Sequence, residues 1–287
     1  MKGRLFIFGL GYCGLEIAKL AQADGWQVSG TVTSGGKANA LRAKNFDAHT
    51  FSAGTALSAA TLASATHVLC TIAPGRTGDP ALKLGGHFFR RARWLGYLST
   101  TGVYGDRAGG WVDEASEPRP ARPRNIVRLA TERAWQATGQ GSGARVDVFR
   151  LPGIYGPGRS AIDQVRAGTA RRIDKAGQVF SRIHIDDIAA TVLAAINREA
   201  PPGAIYNVAD DLPASSSELI EYACKLLGVP APPAAPWAEV ERTLSAMARS
   251  FYEENRRVRN DRIKRELGVV LKYPTYREGL RAIAGLD

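Results

Sequence analysis

The feature that most constrains the fold is a set of three glycines near the amino terminus, in the segment FIFGLGYCGLEIA. Gly9, Gly11 and Gly14 follow a short apolar run and precede a helical pattern, with the spacing G-x-G-x-x-G. Glycine is needed where a chain turns tightly from a strand into a helix and where that helix packs closely on the strand. We therefore expect the chain to begin with a β-α unit.

The pattern that follows predicts an α/β fold. Apolar runs alternate with helical patterns along the first half of the chain. We predict strands at 4–9, 26–32, 47–51, 67–74, 94–100 and 145–153, and helices at 15–25, near 36–45, 57–64, 80–92 and 124–138. Continuous apolar strands separated by helices are typical of a parallel sheet that is covered on both faces. The predicted fold class is a doubly wound parallel Rossmann sheet.

Beyond residue 153 the rhythm changes, and we predict a small, mostly helical C-terminal lobe. The patterns indicate a strand running into a helix at 180–196, a strand at 204–211, a helix at 215–228, a stiff surface connection at 229–236 and two short helices in the tail. We assign 1–150 and 181–210 to the Rossmann domain, and 151–180 and 211–287 to the lobe.

Composition narrows the classes of function. The formal net charge is +11, but the arginines are scattered along the chain, so we do not favour a nucleic-acid partner. Cys13, Cys70 and Cys224 are widely spaced in apolar contexts, which predicts reduced thiols, no metal site and a cytoplasmic protein. No stretch reaches the about 18 apolar residues of a membrane span, so we expect no membrane partner.

The glycine-rich turn also predicts a ligand, because its shape suits a pyrophosphate. Gly11 lets the backbone approach the phosphates, and the helix that starts beside it supplies amide donors and partial positive charge. We therefore predict a dinucleotide site at Gly9, Gly11, Tyr12, Cys13 and Gly14. The alternative is a glycine turn that is purely structural.

The residues after the second predicted strand bear on the identity of the dinucleotide. An acidic side chain there would bind the ribose 2′-hydroxyl of NAD. The segment instead reads GTVTSGGK, with Thr33, Ser34 and Lys37 and no carboxylate. Hydroxyls and a lysine suit a 2′-phosphate, so we predict NADP as the cofactor. NAD stays open, because the same residues fit an ordinary polar loop with a helix-capping serine.

Several downstream motifs occur in the order found in a known family. They are WLGYLSTTGVYGD (94–106), WVDE (111–114), RLPGIYGPGR (150–159), FSRIHIDDIA (180–189), YNVADD (206–211) and RIKRELGV (262–269). Over nearly the whole chain they resemble the extended short-chain dehydrogenase/reductases, the NAD-dependent epimerase/dehydratase group. The resemblance implies a small-molecule substrate, phosphorylated or nucleotide-linked, and a homodimer packed through two helices.

The resemblance also implies a catalytic set, from which this chain departs. In that family a Ser or Thr hydroxyl polarises the substrate oxygen, a Tyr transfers the proton, and a Lys four residues later holds the ribose. Thr100 falls at the hydroxyl position, while Arg124 and Arg128 occupy the Tyr and Lys positions. Glu132 aligns with an acidic residue that usually follows. A guanidinium keeps its proton in a protein, so Arg124 cannot act as general acid or base.

Three residues remain as catalytic candidates: Thr100, Tyr104 and Arg128. Thr100 could instead satisfy backbone groups at a strand end. Tyr104 could instead pack in the Val-Tyr-Gly turn. Arg128 could take over the contacts of the lysine to ribose or phosphate, because it keeps the charge.

Other polar residues in the motifs have weaker functional interpretations. We interpret His184 as structural, and Arg159 and Arg182 as surface arginines, with contact to a substrate phosphate as the alternative. Ligands of parallel sheets bind at the carboxyl ends of the strands, so Ala73 and Pro152 should meet the glycine turn and Thr100 in one cleft.

The predicted function is an NADP-dependent oxidoreductase or epimerase that lacks the usual Tyr-x-x-x-Lys pair. The alternative is a non-catalytic NADP(H)-binding sensor or regulatory protein. Such a protein would keep the glycine turn and lose the residue that transfers the proton.

Overall fold

The computed structural model describes residues 2–52, 57–84, 89–198 and 203–286. Within them the strands are β1 (Arg4–Phe8), β2 (Gln27–Val32), β3 (Asp47–Thr50), β4 (His67–Cys70), β5 (Trp94–Thr100), β6 (Trp111–Val112), β7 (Arg145–Leu151), β8 (Gly153–Tyr155), β9 (Arg172–Asp174), β10 (Arg182–His184), β11 (Ile205–Asn207), β12 (Ala234–Pro236) and β13 (Arg257–Val258). The helices are α1 (Tyr12–Ala23), α2 (Gly35–Arg42), α3 (Ala59–Ala63), α4 (Pro123–Ser142), α5 (Ala161–Arg166), α6 (Ile185–Asn197), α7 (Ser216–Leu227), α8 (Trp237–Val240), α9 (Ala246–Tyr252), α10 (Asp261–Leu267) and α11 (Tyr276–Ala284). Within these ranges we find no helix with the length and apolar character that crossing a membrane requires.

Seven of the strands form one parallel sheet in the order β11-β7-β5-β4-β1-β2-β3. β1 lies between β4 and β2, with Ile7 opposite Leu69 on one side and Gly30 on the other. The strand order reverses here, because the chain moves outward to β3 and then crosses back to β4. The predicted doubly wound parallel sheet is confirmed, and its reversal point is where ligands of such sheets bind.

Both faces of this sheet are buried, as its continuous apolar strands predict. Successive residues of a strand point to opposite faces. Leu5 and Ile7 of β1 therefore lie in an apolar core shared with α1 and α6, while Phe6 and Phe8 lie in a second core with Trp135 of α4. The two cores pack against both faces of the sheet and so fix the positions of the carboxyl ends of its strands.

The lobe has its own small apolar core, in which Tyr155, Ile162, Ile220 and Leu280 are buried. Its helices α5, α7 and α11 each begin with a capping box, in which a hydroxyl and a carboxylate satisfy the first amide groups. A mostly helical C-terminal lobe is therefore present. Its boundaries at residues 151–180 and 211–287 stay a prediction.

The helix predicted near 80–92 is not formed in the described part of that range. The structure has only a 3₁₀ turn at Leu82–Leu84 there, and residues 85–88 lie outside the described ranges. The Asp79 carboxylate holds this segment in place, because Oδ1 accepts from the amide of Ala81 at 2.7 Å and Oδ2 from Trp135 Nε1 at 3.0 Å. The segment is tied to α4 by a side chain instead of continuing as a helix.

Two other predictions needed correction. The connection at 229–236 ends in β12, which pairs in parallel with β9, so its last three residues are a short strand. The strand predicted at 145–153 is two strands, because Pro152 offers no amide and separates β7 from β8. β8 leaves the main sheet and pairs with β10 of the lobe side.

Candidate active site

The turn between β1 and α1 needs two of its three glycines for the backbone itself. Gly9 has a φ of +98°, and a Cβ there would lie 2.6 Å from Thr71 Oγ1. A Cβ on Gly14 would lie 2.0 Å from the carbonyl oxygen of Gly9. Gly9 therefore permits the left-handed bend, and Gly14 permits the close packing of α1 on the strand.

Gly11 is different, because a Cβ there would meet nothing within 4 Å. It is the N-cap residue of α1, with no side chain capping the helix and no acidic residue in the first turn. The start of the helix therefore faces open space with bare amide groups. That is the cradle a diphosphate requires, so the residues present fit a dinucleotide.

Tyr12 and Cys13 form the first turn of α1. The Tyr12 hydroxyl donates to the carbonyl of Pro157 at 3.1 Å, and the guanidinium carbon of the exposed Arg159 lies 5.7 Å from the Tyr12 ring centre. Burial raises the pKa of Cys13 to about 11, so its thiol stays protonated. These two residues can offer backbone amides to a ligand, while a lobe loop lies against the turn.

Thr33, Ser34 and Lys37 lie exposed at the carboxyl end of β2, beside the glycine turn. The Ser34 hydroxyl caps α2 by accepting from the amide of Lys37 at 3.5 Å. The ammonium group of Lys37 makes no contact within the described residues. Both interpretations of this loop are therefore compatible with the geometry, since Ser34 is a helix cap and Lys37 is free to bind an anion.

A cleft of about 600 Å³ lies between the carboxyl ends of β4, β5 and β7 and the lobe. It is lined from the sheet side by Ala73, Thr100, Arg124, Arg128 and Pro152 and from the lobe side by Phe180, Arg182, Ser216, Met247, Ser250, Phe251, Tyr252, Glu254 and Arg256, among others. The structure thus brings four predicted site residues together. The glycine turn is not part of this lining. It is tied to the end of β4 by Thr71, two residues before Ala73, whose hydroxyl donates to the Gly9 carbonyl at 2.7 Å.

Thr100 ends β5 and is partly exposed in the cleft. Its Oγ1 accepts from the amide of Gly102 at 3.1 Å and so caps the 3₁₀ turn at Thr101–Tyr104. The hydroxyl hydrogen makes no bond within the described residues. Thr100 therefore has the backbone role of a strand-end threonine and can still donate its hydrogen into the cleft.

The structure does not bring Tyr104 to the cleft. Its side chain is fully buried, and its hydroxyl donates to Asn207 Oδ1 at 2.8 Å. The Arg150 guanidinium carbon lies 4.8 Å from the ring centre. Burial raises the pKa of Tyr104. This placement favours the packing interpretation over proton transfer.

Arg128 and Arg124 project from α4 toward the cleft, one helical turn apart. Arg128 Nη1 donates to the Tyr97 hydroxyl at 3.1 Å and to the carbonyl of Leu98 at 2.9 Å. Arg124 reaches across to α9, donating to Met247 Sδ at 2.8 Å and to Ser250 Oγ at 2.9 Å. The residue at the Tyr position of the motif therefore joins the sheet side of the cleft to the lobe.

Sequence reasoning missed the residues of α9, because no motif marks them. It also missed Tyr252, the phenol that lines the cleft in the described chain, whose hydroxyl is 2.7 Å from Ser216 Oγ. Burial raises the pKa of Tyr252, so its hydroxyl stays protonated near neutral pH and can donate a hydrogen bond. A tyrosine outside every recognised motif carries no local signal of its position.

Arg182 is not the surface residue we predicted. It is buried, and its guanidinium donates to the carbonyls of Phe180 at 2.9 Å and Ala214 at 2.8 Å, so it holds the strand β10 against the lobe. His184, at the end of the same strand, is also buried. Its Nδ1 accepts from the amide of Asp186 at 3.2 Å and caps α6, which is a structural role.

The burial of His184 predicts a loss of stability in acid. Burial holds its pKa at about 4, against 6.5 for an ordinary histidine. The unfolded chain then binds a proton between pH 6.5 and 4 that the folded chain does not, so the free energy of unfolding should decrease as the pH falls through this range. His184→Asn keeps a capping side chain and should recover about 1–2 kcal/mol of that loss at pH 5. Urea unfolding of both proteins at pH 7 and 5 measures this. An equal loss in the two proteins would contradict it.

Comparison with known proteins agrees with this architecture. The family model described as NAD dependent epimerase/dehydratase matches residues 87–209. The structure of a functionally unknown conserved protein from Silicibacter pomeroyi is 44% identical, with a TM-score of 0.88, covering 99% of this chain and 98% of that one. UDP-glucuronic acid 4-epimerase from Bacillus cereus, in complex with NAD, is 17% identical, with a TM-score of 0.78 over 99% of this chain and 96% of that one, which shows the fold alone.

A curated relative is the 3-diazoavenalumate denitrifying reductase of a Streptomyces species, 30% identical over 141 residues. The match covers 46% of this chain and 45% of the reductase, so the chain spans less than half the length of that relative.

Proposed function

We propose that this chain is a member of the NAD dependent epimerase/dehydratase family, whose model matches residues 87–209, and that it binds a nicotinamide dinucleotide for an oxidoreductase or epimerase reaction on a small molecule held in the cleft. The observation that carries the proposal is Gly11, where a bare helix start faces open space. The cofactor, when bound, supplies hydride exchange. The NAD complex of the Bacillus cereus epimerase supports this class of ligand.

The chain's own residues would then act as follows. The amides of Gly11, Tyr12 and Cys13 would bind the pyrophosphate. Arg128, held by Tyr97 and Leu98, would donate to a ribose hydroxyl or a phosphate. Thr100 would donate its free hydroxyl hydrogen to the substrate oxygen.

Proton transfer would not follow the usual route of the family, because Arg124 at the Tyr position cannot release a proton. Tyr252 is the phenol in the described lining of the cleft, and we assign proton donation to it. If the assignment is right, Tyr252→Phe lowers the rate of turnover. The control is Tyr104→Phe, a change at the buried phenol, whose rate should stay within about threefold of the wild type.

We further propose that the cofactor is NADP, because Thr33, Ser34 and Lys37 follow β2 without a carboxylate, and the Lys37 ammonium makes no hydrogen bond or ion pair with any described residue. NADPH should bind at least about tenfold more tightly than NADH, and Lys37→Ala should remove about 1.4 kcal/mol of that binding while leaving NADH unaffected. Fluorescence titration with each nucleotide measures both effects. Lys44→Ala, at the other end of α2, is the control and should behave like the wild type. Equal affinities of the wild type for NADPH and NADH would refute the preference for NADP, and tighter binding of NADH would assign the site to NAD.

A second function, binding of NADP(H) as a sensor without turnover, is favoured by one observation. The described lining of the cleft contains no histidine, lysine or cysteine, and the Tyr position holds Arg124. Turnover of NADPH with a panel of carbonyl compounds and nucleotide sugars, lost in Thr100→Ala, would exclude the sensor. Tight NADPH binding with no turnover across the panel would support it.

A further inference from the structure

The cleft carries more positive than negative charge. In the described residues, its lining includes Arg124, Arg128, Arg182 and Arg256 against the single carboxylate of Glu254. Arg256 Nη1 pairs with Glu254 Oε2 at 2.8 Å, so that carboxylate is already engaged. Arg124, Arg128 and Arg182 therefore face the cleft without an acidic partner in its described walls.

Arg124 and Arg128 are the two with partly exposed side chains whose hydrogen-bond partners are all neutral; Arg182 also donates only to carbonyls, but it is buried. Arg124 donates to a thioether sulfur and a hydroxyl, and Arg128 to a phenol and a carbonyl. Arg122, at the start of the same helix, instead pairs with Glu253 and Glu254. Within the described residues, Arg128 Nε and Nη2 make no hydrogen bond at all. A negatively charged group would be attracted to both guanidinium groups.

The wall beside Arg124 is apolar and open to solvent. Met247 is 60% exposed and Phe251 is 56% exposed, although both are large hydrophobic side chains. The Arg124 guanidinium carbon lies 5.1 Å from the Phe251 ring centre. A cation and two uncovered apolar side chains in one place suit a molecule with a charged end and a flat apolar body.

We infer that the substrate of this cleft is a small organic anion, whose carboxylate or phosphate binds Arg124 and whose planar apolar body lies on Met247 and Phe251. The inference rests on the proposed function, since it names the substrate class of the same cleft. A carboxylate or phosphate can accept two parallel hydrogen bonds from one guanidinium and adds the attraction between opposite charges, which the thioether of Met247 and the hydroxyl of Ser250 do not offer. The anion therefore displaces Met247 Sδ and Ser250 Oγ from Arg124, and the nearby charge of Arg128 adds to the attraction.

Calorimetric titration of the whole chain with four probes tests this inference. The probes are 2-naphthoate, 2-naphthyl phosphate, the neutral 2-naphthylmethanol and inorganic phosphate. At least one naphthyl anion should bind at least about tenfold more tightly than the neutral alcohol and than inorganic phosphate, a difference of about 1.4 kcal/mol. The tighter of the two anions identifies the charged group as carboxylate or phosphate. The inference would be overturned if either the neutral alcohol or inorganic phosphate bound as tightly as both naphthyl anions.

Arg124→Gln should weaken the naphthyl anions at least about tenfold and leave the alcohol within about twofold. The matched control is Arg133→Gln, which removes the same charge from an exposed position on the same helix and should change nothing. Equal losses in the two variants would mean that only the overall charge of the protein matters, and would also overturn the inference.

Gly11→Val separates this inference from the cofactor proposal, because it changes the glycine turn and leaves Arg124 in place. If the wild type binds the naphthyl anions but not NADPH, and Gly11→Val still binds these anions, the anion site is supported and the cofactor proposal is refuted. NADPH binding without any preference for the anions over the alcohol would refute the anion site alone.

Discussion

Gly11→Val is expected to abolish NADPH binding while the protein stays folded. Gly11 has φ −90° and ψ −156°, an extended conformation that valine adopts easily, and no atom lies within 4 Å of the position of a Cβ. The branched side chain would therefore fill only the space that a pyrophosphate needs. We expect at least about a 100-fold loss of affinity, or about 2.7 kcal/mol, in a fluorescence titration.

Gly14→Ala is the matched comparison. It adds a smaller side chain three residues away, and we expect it to lower the stability of the fold. Its Cβ would lie 2.0 Å from the Gly9 carbonyl oxygen, so α1 would have to move off the strand. This variant should lower the melting temperature, whereas Gly11→Val should melt within about 3 °C of the wild type. NADPH binding by Gly11→Val at the wild-type affinity would show that the glycine turn is purely structural.

The sheet could be predicted from the sequence because its determinants are local. The glycines at 9, 11 and 14 specify the first turn through backbone geometry, and continuous apolar runs specify strands buried on both faces. The chain order of those strands then leaves few arrangements open, since crossovers are right-handed. Thr100, Arg128, Ala73 and Pro152 meet at the cleft for the same reason, because each lies at or near the carboxyl end of a strand or on the helix beside it.

The rest depends on contacts between residues far apart in the chain. Arg124 and Ser250 are 126 positions apart, and nothing in RNIVRLATE indicates that α9 lies opposite. Arg182 was predicted at the surface, yet its guanidinium donates to three backbone carbonyls, those of Phe180, Ala214 and Ser215. These acceptors cannot be identified before the lobe is assembled. The contact between the Asp79 carboxylate and Trp135 likewise joins residues 56 positions apart.

Glu132 makes another contact between separate segments of the chain, and this contact predicts a large effect on stability. Glu132 and Arg150 form an ion pair at 2.7 Å, with side chains 1% and 2% exposed, beneath the end of β5. Ser99 Oγ also donates to Glu132 Oε1 at 2.5 Å. Removing one partner leaves the other charge buried without compensation. Glu132→Leu and Arg150→Met should each lower the free energy of unfolding by about 3–5 kcal/mol.

The double variant Glu132→Leu/Arg150→Met should be more stable than either single variant by about 2–4 kcal/mol, because no charge remains in the apolar interior. Urea unfolding at pH 7 measures all four proteins. The control is the exposed pair Arg119–Glu117, of similar length at 2.8 Å but with side chains 66% and 71% exposed. There, Glu117→Leu and Arg119→Met should each cost less than about 1 kcal/mol, since water already solvates both charges. Losses that simply add in the buried double variant would mean that Glu132 and Arg150 stabilise the fold independently, through packing and not through their charges.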